Sequence, residues 1–178
     1  MNKKINIAVI GLGNIGSFFC KEILKQKKDF LLKTNKDVNL LYVSAKKKSK
    51  KRKFKFKKIQ WINNPLNITT HPLIDIVIEL IGGSDGIAKK IVISAIKNKK
   101  HVITANKALI AKHGNFLSYL AEKYKVNLEY EASVGGGVPI VRGIKEGLIS
   151  NKIFKLIGIL NGTSNYILSS MEKSGKNF

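Results

Sequence analysis

At 178 residues and 19.8 kDa, the chain has room for one domain with a real core, or for one domain and the beginning of a second. A large multidomain enzyme is excluded. Hydrophobic residues make up 44% and charged residues 25%, a globular rather than a disordered composition, while 33 Lys and Arg against 11 Asp and Glu leave a formal charge of +22. Such an excess attracts anions of every kind, including phosphates, nucleic acid and anionic membrane, so it names no partner. Only Arg52 and Arg142 are arginine, and Lys, Ile and Asn are abundant together, which points to compositional bias as the main source of the surplus.

Residues 5–10 are β-branched and apolar, turn signals follow, and Ile15, Phe18, Phe19, Ile23 and Leu24 then recur at helical spacing. The pattern predicts a strand, a tight turn and a helix packed through those apolar positions. A second strand is predicted over 38–44, followed by a lysine block at 46–58 and a short strand over 59–62, with Pro65 and Pro72 punctuating the next loop. Residues 74–80 read as a buried strand ending at Gly82-Gly83, and 86–98 as a helix. Strand 101–104, helix 109–124 and strand 126–131 continue the alternation. Strand–helix units in series predict an α/β protein, a Rossmann-type doubly wound parallel sheet with helices on both faces.

Beyond residue 131 the composition changes. Gly135-Gly136-Gly137, Pro139, Gly143 and Gly147 come first, then β character resumes over 153–160, and a polar turn, Asn161-Gly162-Thr163-Ser164, opens an apparent helix. The expected division is a nucleotide-binding domain over 1–130 and the start of an α+β substrate domain over 131–178.

The single cysteine, Cys20, cannot form an intramolecular disulfide, and no Cys/His cluster has zinc-site spacing, so a reducing, cytoplasmic setting is expected. Lys3 and Lys4 before an apolar stretch imitate a secretory signal, but Gly11, Gly13 and Gly16 interrupt it and no small-x-small cleavage site follows. The apolar run 74–81 contains Asp75 and Glu79 and is far shorter than the roughly 20 residues of a membrane span.

Gly11-Leu12-Gly13-Asn14-Ile15-Gly16 is a G-x-G-x-x-G motif between the first strand and first helix. The first glycine permits the tight turn, the second lets a pyrophosphate approach the backbone, and the third lets the helix pack close to the sheet. Amide hydrogens at the helix start then meet the phosphates. A site that prefers NAD usually ends its second strand in an acid that accepts the ribose 2′-hydroxyl. Here that strand ends Val43-Ser44-Ala45, and Asp37 falls before it. Lys46, Lys47 and Lys48 follow, and their ammonium groups would attract a 2′-phosphate, which favours NADP over NAD.

The block 46–58 holds ten basic residues and no acid, interleaved with Phe54 and Phe56. Nucleic-acid binding has a mechanism here, through counterion release and aromatic stacking. The plainer reading is a solvated surface segment with its first residues near a cofactor phosphate.

Four further motifs follow in order: Asp75-Ile-Val-Ile-Glu79-Leu-Ile-Gly82-Gly83, Thr104-Ala-Asn-Lys107-Ala-Leu-Ile-Ala111 with His113-Gly114, Glu131-Ala-Ser-Val134-Gly-Gly136-Gly-Val138-Pro-Ile140, and Gly158-Ile-Leu-Asn161-Gly-Thr163-Ser-Asn-Tyr-Ile-Leu168. Together with the opening glycine motif they closely resemble homoserine dehydrogenase over nearly the whole chain, the charge run 46–58 excepted. The resemblance implies NAD(P)-dependent interconversion of L-aspartate 4-semialdehyde and L-homoserine, on the route to threonine, methionine and isoleucine. It also implies a dimeric or larger assembly acting on a small-molecule substrate.

Carried over by motif, Lys107 is the lysine at the junction of cofactor and substrate; with Gly82, the glycine-turn residues Gly11, Leu12, Gly13, Asn14, Ile15 and Gly16, and Lys46 from the charge reading above, it makes up the expected cofactor-binding set. Glu131, Val134, Gly136 and Val138 correspond to the family's loop for a monovalent cation, sodium or potassium, a hard ion suited to oxygen ligands. Asn161, Gly162 and Thr163 match a loop beside the substrate, although the same residues would make an ordinary helix cap. His101 and His113 are given no catalytic role, and Cys20 is read as packing. In the family, the carboxylates that hold the substrate's amino group and a second essential lysine lie downstream of Asn161-Gly162-Thr163. Their positions would fall beyond Phe178, so a truncated chain with impaired turnover is expected.

Overall fold

A run of apolar strands separated by helices must form a parallel sheet, because each strand needs a crossover before the next can run the same way. The computed structural model describes residues 3–48, 58–158 and 161–175. Its elements in chain order are β1 (Lys3–Ile10), α1 (Asn14–Lys25), α2 (Lys27–Thr34), β2 (Lys36–Ser44), β3 (Gln60–Trp61), α3 (Leu66–Thr69), β4 (Ile76–Glu79), α4 (Ile87–Lys97), β5 (His101–Thr104), α5 (Lys107–Tyr124), β6 (Leu128–Glu129), α6 (Ile140–Arg142) and α7 (Gly162–Ser174). The strands pair in the order β3-β2-β1-β4-β5-β6, every neighbour parallel. This is the doubly wound Rossmann order, and the sheet grows outward in both directions from the junction of β1 and β4.

Successive residues of β1 alternate between two cores, as the period of two in a strand requires. Ile7 and Val9 join Leu12, Cys20, Val43 and Ile78 on the face covered by α1. Ala8 and Ile10 join Val77 and Val102 on the other, against Ile91, Ala95 and Ile96 of α4 and Leu117 and Ala121 of α5. Each fully buried Ile or Leu in these layers contributes roughly 1.5–3 kcal/mol relative to exposure.

The helix α1 packs differently from its apolar pattern. Its buried residues are Gly16 and Cys20, with Phe19 and Ile23 partly covered, whereas Ile15 and Phe18 are each 65% exposed and Leu24 is also exposed. The third glycine of the motif decides this, because the side without a Cβ is the side that can approach the sheet. A Cβ on Gly16 would overlap the carbonyl oxygen of Gly11.

Four other expectations are corrected. The helix α2, missing from the sequence reading, has no buried residue and hence no apolar stripe to betray it. It is tied to β2 by the Lys27–Asp37 ion pair at 2.9 Å, and it ends at Asn35 with φ of 55°. Asp37 lies inside β2, opposite Lys4 at the amino end, rather than before the strand. The last strand is only Leu128–Glu129, and Glu131 instead starts a 3-10 turn, Glu131–Ser133. The β-like run 153–160 forms no strand over 153–158, and 159–160 lie outside the described residues. β propensity expresses fit to a pleated neighbour, and among the described residues no strand pairs with this run.

Gly16→Ala is expected to lower stability by about 1–3 kcal/mol through overpacking, seen as a fall in the urea midpoint with unchanged slope. Gly13→Ala is the control. Its backbone is extended and an added Cβ would meet nothing within 4 Å, so the midpoint should stay near wild type.

Candidate functional site

Register brings the ends of four strands into line. Ser44 of β2 pairs with Ile10 of β1, Ile10 with Glu79 of β4, and Glu79 with Thr104 of β5. The residues just past these four ends are Lys46, the glycine turn 11–16, Gly82 and Lys107. Every residue expected from sequence to bind the cofactor therefore leaves the sheet at one edge, the carboxyl edge where α/β folds bind their ligands.

The glycine turn is fixed mainly by backbone contacts. Gly11 has φ of +101°, its amide donates to the Ser44 carbonyl at 2.8 Å, and a Cβ built on it would stand 2.5 Å from the Leu80 carbonyl oxygen. Leu12 is buried, and its carbonyl accepts from the Ser17 hydroxyl at 3.0 Å. Gly13 then forms the N-cap of α1, where no side chain caps the first turn and no acid lies in it. Uncapped amides and the positive end of the helix dipole suit a diphosphate, and the open space at Gly13 lets one approach.

Beside this turn lies a polar chain that crosses two strands. Glu79 is fully buried, and its Oε1 accepts from the Ile81 amide at 2.7 Å and more weakly from the Gly82 amide at 3.4 Å. Its Oε2 accepts from the Thr104 hydroxyl at 2.6 Å, while Thr104 Oγ1 accepts from the Asn106 amide at 3.1 Å. The Asn106 side chain donates from Nδ2 to the Gly83 carbonyl at 2.7 Å, and its Oδ1 accepts from the Leu109 amide at 3.1 Å, capping α5. Burying a carboxyl group without partners would be costly, and here both oxygens are hydrogen-bonded. Glu79, Thr104 and Asn106 fall within the quoted motifs but are given no role of their own from the sequence. An acid directly after the apolar residues Ile76, Val77 and Ile78 of a mostly buried strand was the available signal.

Lys107 is the first residue of α5 and is exposed, directly beyond β5. The turn before α4 is clamped to α5 by Asp85, whose carboxyl meets Lys112 Nζ at 2.7 Å and His113 Nε2 at 2.9 Å. The hydrogen bond from Lys112, then those from His113 and Ser84, hold the Asp85 carboxyl well below the usual carboxylate range. Asp37 is likewise lowered, by Lys27 first and Asn39 second, but at the opposite end of the sheet, so it cannot meet a ribose at the glycine turn. Cys20 is buried in α1, and His101 Nδ1 accepts from the Asn127 amide at 3.0 Å.

The remaining expected site residues lie later in the chain. Glu131 spans a loop, its two oxygens accepting from the amides of Val141 at 2.9 Å and Arg142 at 2.8 Å. Gly135 and Gly136 both have φ of 71°, and the Val138 carbonyl accepts from the Ile140 amide at 2.8 Å. Asn161, Gly162 and Thr163 are exposed, and Asn161 Oδ1 accepts from the Ser164 amide at 3.0 Å, so these residues form the N-terminal cap of α7. Of the lysine block, 46–48 and 58 are described, and 49–57 lie outside the described residues. A second concavity, about 440 Å³, opens at the amino ends of the strands between Lys3, Lys4, Asp75 and Lys100. It has no helix N-terminus built for phosphate, and the glycine turn is at the other edge. No helix among the described residues is long and apolar enough to cross a membrane.

The strand order, the glycine turn at the first crossover and the aligned strand ends define a dinucleotide-binding α/β domain. Residues 11–131 match the family model for the NAD-binding domain of homoserine dehydrogenase, and 139–178 match the homoserine dehydrogenase model. The chain belongs to the homoserine dehydrogenase family. It is 36% identical over 176 residues to homoserine dehydrogenase of Neisseria gonorrhoeae, and 39% identical over 176 residues to that of Synechocystis. These matches cover 99% and 98% of this chain, and 40% of each relative. The crystal structure of a homoserine dehydrogenase from Thiobacillus denitrificans superposes with a TM-score of 0.86 at 35% identity, covering 98% of this chain and 40% of that one. That of Staphylococcus aureus at pH 7.5 gives 0.81 at 39% identity, covering 99% and 40%. The chain thus spans about two fifths of the length of these relatives.

The Asp85 clamp makes stability depend on pH with a definite sign. A carboxyl whose folded pKa is depressed contributes its stabilisation above the unfolded value, about 3.9, and loses it as pH falls toward the folded value. The melting difference between wild type and Asp85→Asn should be constant above about pH 5 and shrink below about pH 4. Asp85 and Lys112 are at least half exposed, so the difference is small.

Proposed function

We propose that this chain supplies the nucleotide-binding part of an NADP-dependent homoserine dehydrogenase, which interconverts L-aspartate 4-semialdehyde and L-homoserine in the synthesis of threonine, methionine and isoleucine. The observation that carries the reading is the alignment of Ser44, Ile10, Glu79 and Thr104, which sends Lys46, the glycine turn, Gly82 and Lys107 out of one edge of the sheet. Within this reading, residues 1–130 form the nucleotide domain and 131–178 begin the substrate and dimerisation domain. The boundaries of the two family matches, at 131 and 139, support that division.

The residues take distinct parts. Amides of the Gly11–Gly16 turn and the first turn of α1 hold the diphosphate, with Gly13 leaving the room that it needs. Preference for NADP rests on Ser44 and Lys46. Gly11 donates to the Ser44 carbonyl, so the residues just past β2 flank the glycine turn, and the first of them to carry charge is a lysine. A reduced nicotinamide held there would supply the hydride for reduction of the aldehyde carbon. Lys107 donates a hydrogen bond to the substrate oxygen and offsets the negative charge that develops there, the differential stabilisation that accelerates such a step. Asn106 holds the start of α5, and Lys107 with it, against the loop at Gly83.

Asn161, Gly162 and Thr163 are assigned to the substrate side, with the Asn161 oxygen already engaged in capping α7. A sodium or potassium ion is assigned to Glu131 and the backbone oxygens of Val134, Gly136 and Val138. The donors are all oxygen, as a hard cation prefers, and two consecutive glycines with positive φ turn this backbone sharply. Glu131 would contribute lone pairs not used by the Val141 and Arg142 amides, since an ionised carboxyl offers about four acceptor sites.

Titration of the protein with NADPH at low salt tests the reading. Saturable binding is expected, tighter than that of NADH, and Lys46→Ala should narrow the gap by up to roughly fivefold, the worth of one exposed charge pair. Gly13→Ala should abolish binding while leaving the urea midpoint alone. Absence of saturable NADPH binding by the wild type would end the proposal, and RNA binding in its place would favour the nucleic-acid reading of the lysine block. The cation assignment predicts a higher melting temperature in sodium or potassium chloride than in choline chloride at equal ionic strength. Glu131→Gln should remove that difference.

A further inference from the structure

The dinucleotide reading leaves one group at the aligned strand ends without a part in it, the wholly buried carboxyl of Glu79. We infer that Glu79 is a positioning residue, which acts through Thr104 and Asn106 to hold the two loops that receive the nicotinamide half of the cofactor. The inference rests on the dinucleotide reading and goes beyond it.

The directions of the hydrogen bonds carry the argument. The Asn106 amide can only donate, so Thr104 Oγ1 accepts from it at 3.1 Å and must spend its own proton on Glu79 Oε2 at 2.6 Å. The Ile81 amide can only donate, and it meets Glu79 Oε1 at 2.7 Å. Both Glu79 oxygens are therefore acceptors, and donors converge on the carboxylate from two sides, Asn106 N–H through Thr104 O–H from the start of α5 and Ile81 N–H from the loop after β4. A second link closes the circuit, because Asn106 Nδ2 donates to the Gly83 carbonyl at 2.7 Å. The loop at 81–83 and the residue before Lys107 are thus held at both ends. Gly82 and Gly83 have φ of +97° and +84°, are exposed, and would meet nothing within 4 Å if they carried a Cβ. Such a loop has little packing of its own to fix it, so its place is set by the buried acceptor beneath it.

An amide in place of the carboxyl cannot reproduce this circuit. If Gln at 79 turns its nitrogen toward Ile81, two donors face each other. If it turns it toward Thr104, the hydroxyl receives two donors and its own proton has no acceptor. Burial makes either mismatch costly. Thr104→Val removes the hydroxyl at nearly constant shape, and Thr104→Ser restores it.

The effect falls on one half of the cofactor. The adenosine half leans on the glycine turn and Lys46, to whose side chains and amides the Glu79 carboxyl makes no hydrogen bond, whereas the nicotinamide half lies toward Gly82 and Lys107. The experiment compares the 178-residue chain and its Glu79→Gln, Thr104→Val and Thr104→Ser variants, each first checked by thermal melting. Affinities are measured for NADPH and for adenosine 2′,5′-bisphosphate, which lacks the nicotinamide, and the fluorescence enhancement of bound NADPH reports whether the reduced ring is held. We expect Glu79→Gln and Thr104→Val to weaken NADPH by about tenfold or more, as one buried hydrogen bond implies. The bisphosphate should bind as it does to wild type, the fluorescence enhancement should fall in both variants, and Thr104→Ser should behave as wild type. If Glu79→Gln does not fold, the Thr104 pair decides. Wild-type values in Thr104→Val for both ligands, or equal losses for both, would overturn the positioning role and leave the dinucleotide site standing. Failure of the wild type to bind either ligand would instead remove the dinucleotide reading, and this inference with it.

Discussion

The closest constraint in the molecule is the meeting of three backbones at Gly11. The turn after β1 runs against the Leu80 carbonyl on one side and beneath Gly16 on the other, with no space for a Cβ at either glycine. That contact fixes how near α1 comes to the sheet. The start of α1, with no side-chain cap and with open space at Gly13, follows the end of β1 beside β4, where the strand order diverges and sheets of this class form a crevice. The same contact explains the burial pattern of the helix: Cys20 is enclosed on the glycine side, and Ile15 and Phe18 are turned outward.

A second constraint is polar and ties the two sides of the crevice together. Glu79 sits at the end of the strand next to β1, and its hydrogen bonds reach forward to the loop after β4 and sideways to Thr104 of β5. A buried polar network of this kind is stabilising only when every member has a partner, and it then specifies one arrangement of the backbone around it. Packing of Val77, Val102 and Ile91 gives the sheet and helices their adhesion but does not orient the exposed glycine loop.

Acids are scarce in this chain, and several serve to hold structure in place. Asp37 binds α2 to β2 through Lys27, Asp85 binds the turn before α4 to α5, Glu79 binds the loop at 81–82, and Glu131 binds the amides of Val141 and Arg142. The large positive charge is left mostly to exposed lysines, including Lys46 and Lys107. An edge of the sheet with uncapped helix amides and lysines on either side has the electrostatic character that a phosphate-bearing ligand requires.

The local pattern of residues was enough to read the alternation of strands and helices, the glycine turn and the class of sheet, because periodicity and turn chemistry act over a few neighbours. The motifs that carry the family resemblance are local in the same sense. The sequence could not show α2, which has no buried face, nor the shortness of β6, nor the failure of 153–158 to form a strand, since each depends on what packs or pairs alongside. It could not decide between the two faces of α1, because hydrophobic spacing does not measure how closely backbones approach. Gly82 and Lys107 were named from motifs and Lys46 from the charge after the second strand, each one at a time. Only the parallel register, which sets Ser44, Ile10, Glu79 and Thr104 side by side from points up to 94 residues apart, decided that they share one edge. The Glu79–Thr104 hydrogen bond is of the same kind: it joins residues 25 apart in the chain, and strand pairing, not sequence proximity, makes them neighbours.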